Sequence, residues 1–150
     1  MSRKLDDLDP SCREAARQAI AAMQADDELR RSGVAGILII ETRRELPVQM
    51  AYFSRGRMAP EHVRLMYDAA GVKQQLSDKE TQTAITWTLK SKHLDGLAMD
   101  LVPLNDKGPA WWSAPMHVWM RMGKLAEDLG WEWGGRWKEA DLPHFQWRGT

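Results

Sequence analysis

The residues Ser91–Asp100, SKHLDGLAMD, set a histidine and an aspartate seven positions apart, with Gly96 and Ala98 between them. Imidazole and carboxylate are ordinary ligands of a catalytic divalent metal, which commonly takes three protein ligands and leaves one position open for water. His93 and Asp100 supply two such ligands. They are not four apart on one helix, so the HExxH arrangement of helical zinc proteases is absent. Gly96 and Ala98 suit a backbone that passes close to a site and enters a strand directing Asp100 inward. A third ligand has to come from elsewhere, and His144 in DLPHFQW is the best candidate. Asp141 precedes it by three residues, and Pro143 stiffens the approach. That carboxylate fits a general base held near the metal without binding it.

The elements that must position these groups follow from patterning. Ala15, Ala16, Ala19, Ile20 and Met23 recur at helical spacing, so a helix is expected from about residue 12 to 30. Residues 34–41, VAGILIIE, read as a buried strand, and LAMDLV at 97–102 as an alternating one. Pro47 opens a short helix that Gly56 ends, PEHVRLMYDAAG offers another, and residues 74–83 read as a surface loop. Residues 114–129 form an amphipathic helix stopped by Gly130. WEWGGRW turns at Gly134-Gly135, and HFQW is a closing strand. Strands scattered among helices imply a small α+β domain spanning residues 1–150, with no linker or repeat and no separate binding domain.

Composition narrows the function. Lys plus Arg and Asp plus Glu both total 21, which gives no general attraction for nucleic acid and no polybasic membrane anchor. Cys12 is the only cysteine, so intrachain disulfides and cysteine-based zinc sites are excluded. The first residues lack the apolar core of a secretory signal, and no apolar run is long enough to span a bilayer. The expected product is made in the cytoplasm. His62 and His117 lack a carboxylate in a matching motif and read as structural. The eight tryptophans read mainly as core or site wall, with Trp111-Trp112 the pair expected at the surface.

Taken together, Ser91-x-His93-x-x-Gly96-x-Ala98-x-Asp100, Trp133-Gly134-Gly135-x-Trp137 and Asp141-x-Pro143-His144-Phe145 resemble the LAS-type zinc peptidases. The likeness runs over roughly residues 5–147, and is greatest to the phage endolysins and bacterial L-alanyl-D-glutamate endopeptidases, relatives of the D-alanyl-D-alanine carboxypeptidases. It implies a small, mainly antiparallel sheet flanked by helices. It implies Zn2+ on His93, Asp100 and His144, with Asp141 catalytic and an arginine over the substrate carbonyl. Register with ETRRELPVQMAYFSRGR, through Glu41, Gln49 and Gly56-Arg57, selects Arg44; Glu45, where the family often has Ser or Thr, leaves Arg43 as the alternative. Ser91 and Gln49 are expected at the substrate. The stretch 58–83 is longer than the usual family connection.

The implied function is cleavage of the L-Ala–D-Glu bond of the peptidoglycan stem peptide, as a monomeric lysin acting on the bacterial wall after release from the cytoplasm. No nucleic acid and no membrane insertion are expected. The alternatives are a D-Ala-D-Ala carboxypeptidase or dipeptidase, and a zinc-containing module that only binds the wall. Asp141 argues against the last, since pure binding needs no general base.

Overall fold

The computed structural model describes residues 1–149. The first helix ends earlier than its periodicity predicts. Helix α1 spans Arg13–Ala25, and α2, Asp27–Arg31, starts afresh because Asp26 leaves the helical conformation and accepts the Leu29 N–H at 3.0 Å as N-cap. Strand β1, Gly36–Glu41, leads into α3, Leu46–Ser54, with proline in the first turn. Helix α4, Pro60–Ala69, follows. The expected 74–83 loop contains a further helical turn, α5 (Asp78–Thr81), because Ser77 and Glu80 form a reciprocal capping box. Strand β2 is Ala98–Leu104 and helix α6 is Met116–Glu127. WEW is a strand of its own, β3 (Trp131–Trp133), and β4 is His144–Trp147.

The α+β expectation holds: the four strands form an antiparallel sheet in the order β1-β2-β4-β3. Pro103 is tolerated in β2 because β4 pairs only with Ala98–Asp100. Pro103 turns its carbonyl outward to the Trp111 N–H at 2.8 Å, so its missing donor faces the side where β4 has already ended.

Period-two alternation gives the sheet two unlike faces. Met99, Leu101, Phe145, Trp131 and Trp133 point to one side. There they pack with Ala16, Ala19, Ile20 and Met23 of α1 and Val118, Trp119, Met122 and Ala126 of α6 as one core. The opposite face carries Glu41, Asp100, His144, Gln146 and Glu132. Register places Glu41 opposite Asp100, Asp100 opposite His144, and Gln146 opposite Glu132. A slip of one residue would bury all of these and expose the core, so the apolar pattern itself locks the polar line in place. Residues 46–92, between β1 and β2, form a lobe with its own small core of Ala51, Val63, Tyr67 and Leu76. No helix among the described residues is long and apolar enough to cross a membrane.

Candidate metal centre and its cleft

Asp100 and His144 meet as a cross-strand pair, and His93 arrives from the turn before β2. One donor atom from each of the three lies within 4.8 Å of the others. His93 Nε2 is 3.2 Å and His144 Nδ1 3.4 Å from Asp100 Oδ1. A tetrahedral ion with ligand distances of roughly 2.0–2.1 Å separates its donors by roughly 3.3–3.4 Å, close to the two distances the imidazoles make with Asp100 Oδ1. His93 is 2% and His144 7% exposed, and Asp100 opens to the cleft.

Neighbouring groups select which ring nitrogen faces the centre. His93 Nδ1–H donates to the Thr42 carbonyl at 2.6 Å, which leaves Nε2 free to ligate. The Arg44 N–H in turn donates to the His93 carbonyl at 3.0 Å, so the His93 turn is stapled to the chain leaving β1. For His144 the order is reversed. Gln146 spends its amide N–H on Glu132 at 2.8 Å, so its oxygen accepts from His144 Nε2–H at 3.0 Å and Nδ1 faces the centre. The chain His144–Gln146–Glu132 runs along the polar face of the sheet.

The electrostatics suit a bound cation. Burial alone would raise the Asp100 pKa, but hydrogen bonds from His144 and His93 outweigh it and hold the carboxyl well below the usual range. Burial works against charge on His144, yet its hydrogen bond to Asp100 leaves that imidazole above its ordinary value. Protons held this way are displaced when a divalent cation takes the same donors.

Asp141 sits at the mouth, half-exposed, with Oδ2 4.0 Å from His144 Nδ1. Partial burial, then the charge of Asp100, pushes its pKa above the ordinary carboxylate value, the direction a general base requires. Its segment is seated by the WGG turn. The Trp133 indole N–H donates to the Leu142 carbonyl at 2.8 Å, and the Asp141 N–H donates to the Gly134 carbonyl at 2.9 Å. A Cβ on Gly134 would lie 2.7 Å from the Asp141 carbonyl, and one on Gly135 2.1 Å from the Trp133 ring. Both positions therefore require glycine. Gly96 has a different reason from the expected approach to the site. Its φ of +69° and a virtual Cβ 2.9 Å from the Asp9 nitrogen make it the contact with the N-terminal segment.

Of the two candidate arginines, Arg43 points outward, whereas Arg44 is buried and lines the cleft. Arg44 is ion-paired with Glu41, donates to Gln49 Oε1 at 2.6 Å and lies 4.7 Å over the Tyr52 ring. Gln49, expected at the substrate, is instead fully buried. Its amide N–H groups go to the Thr88 carbonyl at 2.7 Å and to Thr86, so it ties Arg44 to the 86–88 loop. Ser91 lines the cleft, and its Oγ accepts the His93 N–H at 3.2 Å. His62 and His117 are exposed on α4 and α6, outside the cluster.

The cleft over the centre measures about 900 Å³. Trp137 packs against His144 with ring centroids 5.1 Å apart, while Trp87 and Trp112 stand exposed at the rim. Sequence reasoning missed Tyr52, Gln146 and Glu132 as supports. Alternation along β4, which puts Gln146 on the face of His144, was the available signal for the second.

Residues 84–147, the segment holding all three cluster residues and Asp141, match the family model described as D-alanyl-D-alanine carboxypeptidase. An L-alanyl-D-glutamate peptidase of a Listeria phage is 31% identical over 83 residues, covering 55% of this chain and 29% of that protein's length. The Serratia marcescens L-Ala D-Glu endopeptidase ChiX shares the fold, at a TM-score of 0.54 and 22% identity over 95% of this chain and 82% of that one. The resemblance to the LAS-type zinc peptidases is borne out. A mutant of the vancomycin-resistance D,D-pentapeptidase VanY in complex with Zn(II) also shares the fold, at a TM-score of 0.54 and 16% identity, over 95% of this chain and 73% of its own.

Proposed function

We propose that this chain is a zinc-dependent peptidoglycan endopeptidase that hydrolyses the L-Ala–D-Glu bond of the stem peptide, in the manner of a phage lysin. The observation that carries the reading is the convergence of His93 Nε2 and His144 Nδ1 on Asp100 Oδ1 at 3.2 and 3.4 Å, with Asp141 at the mouth. Support for the substrate comes from the named activities of the phage relative and of ChiX.

In this reading His93, Asp100 and His144 hold the ion. Zinc held there supplies Lewis-acid activation of water and of the scissile carbonyl. Asp141 accepts a proton from the attacking water through Oδ2 and returns it to the leaving amine. Arg44, fixed by Glu41, Gln49 and Tyr52, donates toward the oxygen on which charge develops. Preorganising that cation inside the wall means no side-chain reorientation is needed during reaction. Ser91 contacts the substrate backbone at the edge of the cleft.

The experiment is digestion of defined muropeptides by purified protein, with and without chelator, read by mass spectrometry. Release of the peptide beginning at D-Glu, abolished by chelator and restored by Zn2+, is the expected result. The family model's description favours a second reading, removal of terminal D-Ala. Loss of that single residue in the same spectra would replace the first reading with the second.

A further inference from the structure

The metal triad and Asp141 describe how a bond is cut but not which residue is accepted beside it. The charged lining of the cleft is sorted by segment. Glu41 is neutralised by Arg44, and Asp100 lies between the two imidazoles. What remains is Lys90 and Lys92 on the segment entering His93, and Glu139 and Asp141 on the segment entering His144. Both lysines are exposed, and neither is ion-paired with a described carboxylate. They flank Ser91, whose Oγ holds the His93 N–H at 3.2 Å. Their backbone is thus fixed next to a metal ligand while their ammonium groups stay free. Two unpaired lysines lining one cleft give that part of its wall a net positive charge. An anionic group on a bound ligand would be attracted there.

We propose that Lys90 and Lys92 form a carboxylate-reading subsite that selects a free acid on the residue whose nitrogen leaves. The inference rests on the proposed L-Ala–D-Glu cleavage. In that bond the acyl side is alanine, which has no side-chain carboxylate to offer. The amine side is glutamate, which keeps one carboxyl free whichever of its two continues the chain. A wall peptide carrying an amide there has the same shape without the charge, so the lysines make the cleft an acid-selective rather than a shape-selective reader.

The test uses the full chain loaded with zinc and two synthetic peptides, L-Ala-γ-D-Glu-L-Lys and its counterpart with the glutamate α-carboxyl amidated. Wild type is expected to cleave the acid with a kcat/KM roughly five- to tenfold above that of the amide, the size of one solvent-accessible charge-assisted contact. Added salt narrows the gap. The Lys90→Met/Lys92→Met variant should cleave both at the rate wild type shows for the amide, and Lys90→Arg/Lys92→Arg should keep the preference. Equal rates for wild type, or a preference that survives in the methionine variant, overturns the subsite alone. Failure of wild type to cleave either peptide overturns the proposed function and the subsite with it.

Discussion

The two walls of the cleft are built on different terms. One is the polar face of the sheet, where Asp100 and His144 are fixed by strand register and backed by a core that includes the fully buried Met99, Leu101, Trp131 and Phe145. The other is the 46–92 lobe, whose own core is four buried residues and whose rim leaves Ile85, Trp87 and Leu89 exposed. In the proposed function two of the three groups that would hold the ion, Asp100 and His144, sit on the first wall, and His93 comes from the turn that joins the walls. Residues 85–88 and 90–92 of the second wall line the cleft where substrate would enter. Arg44 and Gln49 join the two, since one is tied to β1 through Glu41 and the other to the 86–88 loop. The division follows from energetics, because stability is not uniform and a small core permits local opening at less cost than a large one.

Unequal damage to the two cores tests this division most severely. Phe145→Ala, between Met99 and Trp133 in the sheet, is expected to cost about 3–5 kcal/mol and to weaken folding and metal binding together. Leu76→Ala in the lobe should cost less globally and leave zinc stoichiometry intact while raising KM. Thermal unfolding with parallel metal analysis separates the two. Loss of metal from the Leu76 variant would break the comparison.

The junction comes next. Arg44→Ala should lower kcat by about 10²–10³-fold, as loss of one preorganised donor does, with zinc retained. It also strands Glu41, which is 4% exposed, so a drop in thermal midpoint accompanies the kinetic loss. Steady-state kinetics and a melt on one preparation check both effects.

A finer cut falls on the support of the ligands. Gln146→Leu removes the acceptor that keeps His144 Nδ1 facing the centre, and zinc affinity should fall about 10–100-fold. Competition with a chromophoric chelator measures it, and unchanged affinity would show that packing alone orients the ring.

The smallest effect lies outside the cleft. Asp26 is the α2 N-cap and accepts from Arg121 Nε and Nη2 at 3.1 and 2.7 Å, contacts that lower its pKa. Asn can still cap, so Asp26→Asn isolates the charge, worth about 1 kcal/mol. A carboxyl with a lowered folded pKa stabilises above its unfolded value of about 3.9 and loses that contribution as pH falls through the folded one. The gap between wild type and variant in denaturant melts should therefore be full at neutral pH and close in acid, with activity unaffected.

The same contrast governs how much could be read from the chain. The sheet wall was legible because ligand types, their order and the strand alternation around them are local patterns. His93, Asp100 and His144 converge as those patterns imply, and β1, β2 and β4 lie within two residues of their expected bounds. Three-residue β3 carried too little periodicity to be recognised. The Asp26 break was hidden because the apolar stripe continues through Leu29, and only the cap chemistry reveals it. Ser77-x-x-Glu80 did carry a readable capping box that the loop reading passed over. Gln49 shows the harder limit. Glutamine in a short helix gives no sign of burial, and its tie to the 86–88 loop depends on a contact between residues 39 positions apart.

The claim beneath all of this is that three donors share one ion through defined ring nitrogens. A crystal grown with Zn2+ and measured at the zinc absorption edge tests it directly. The account predicts one anomalous peak about 2.0–2.2 Å from His93 Nε2, Asp100 Oδ1 and His144 Nδ1 together. A peak bound elsewhere, one reached through His144 Nε2, or no peak at all would contradict it.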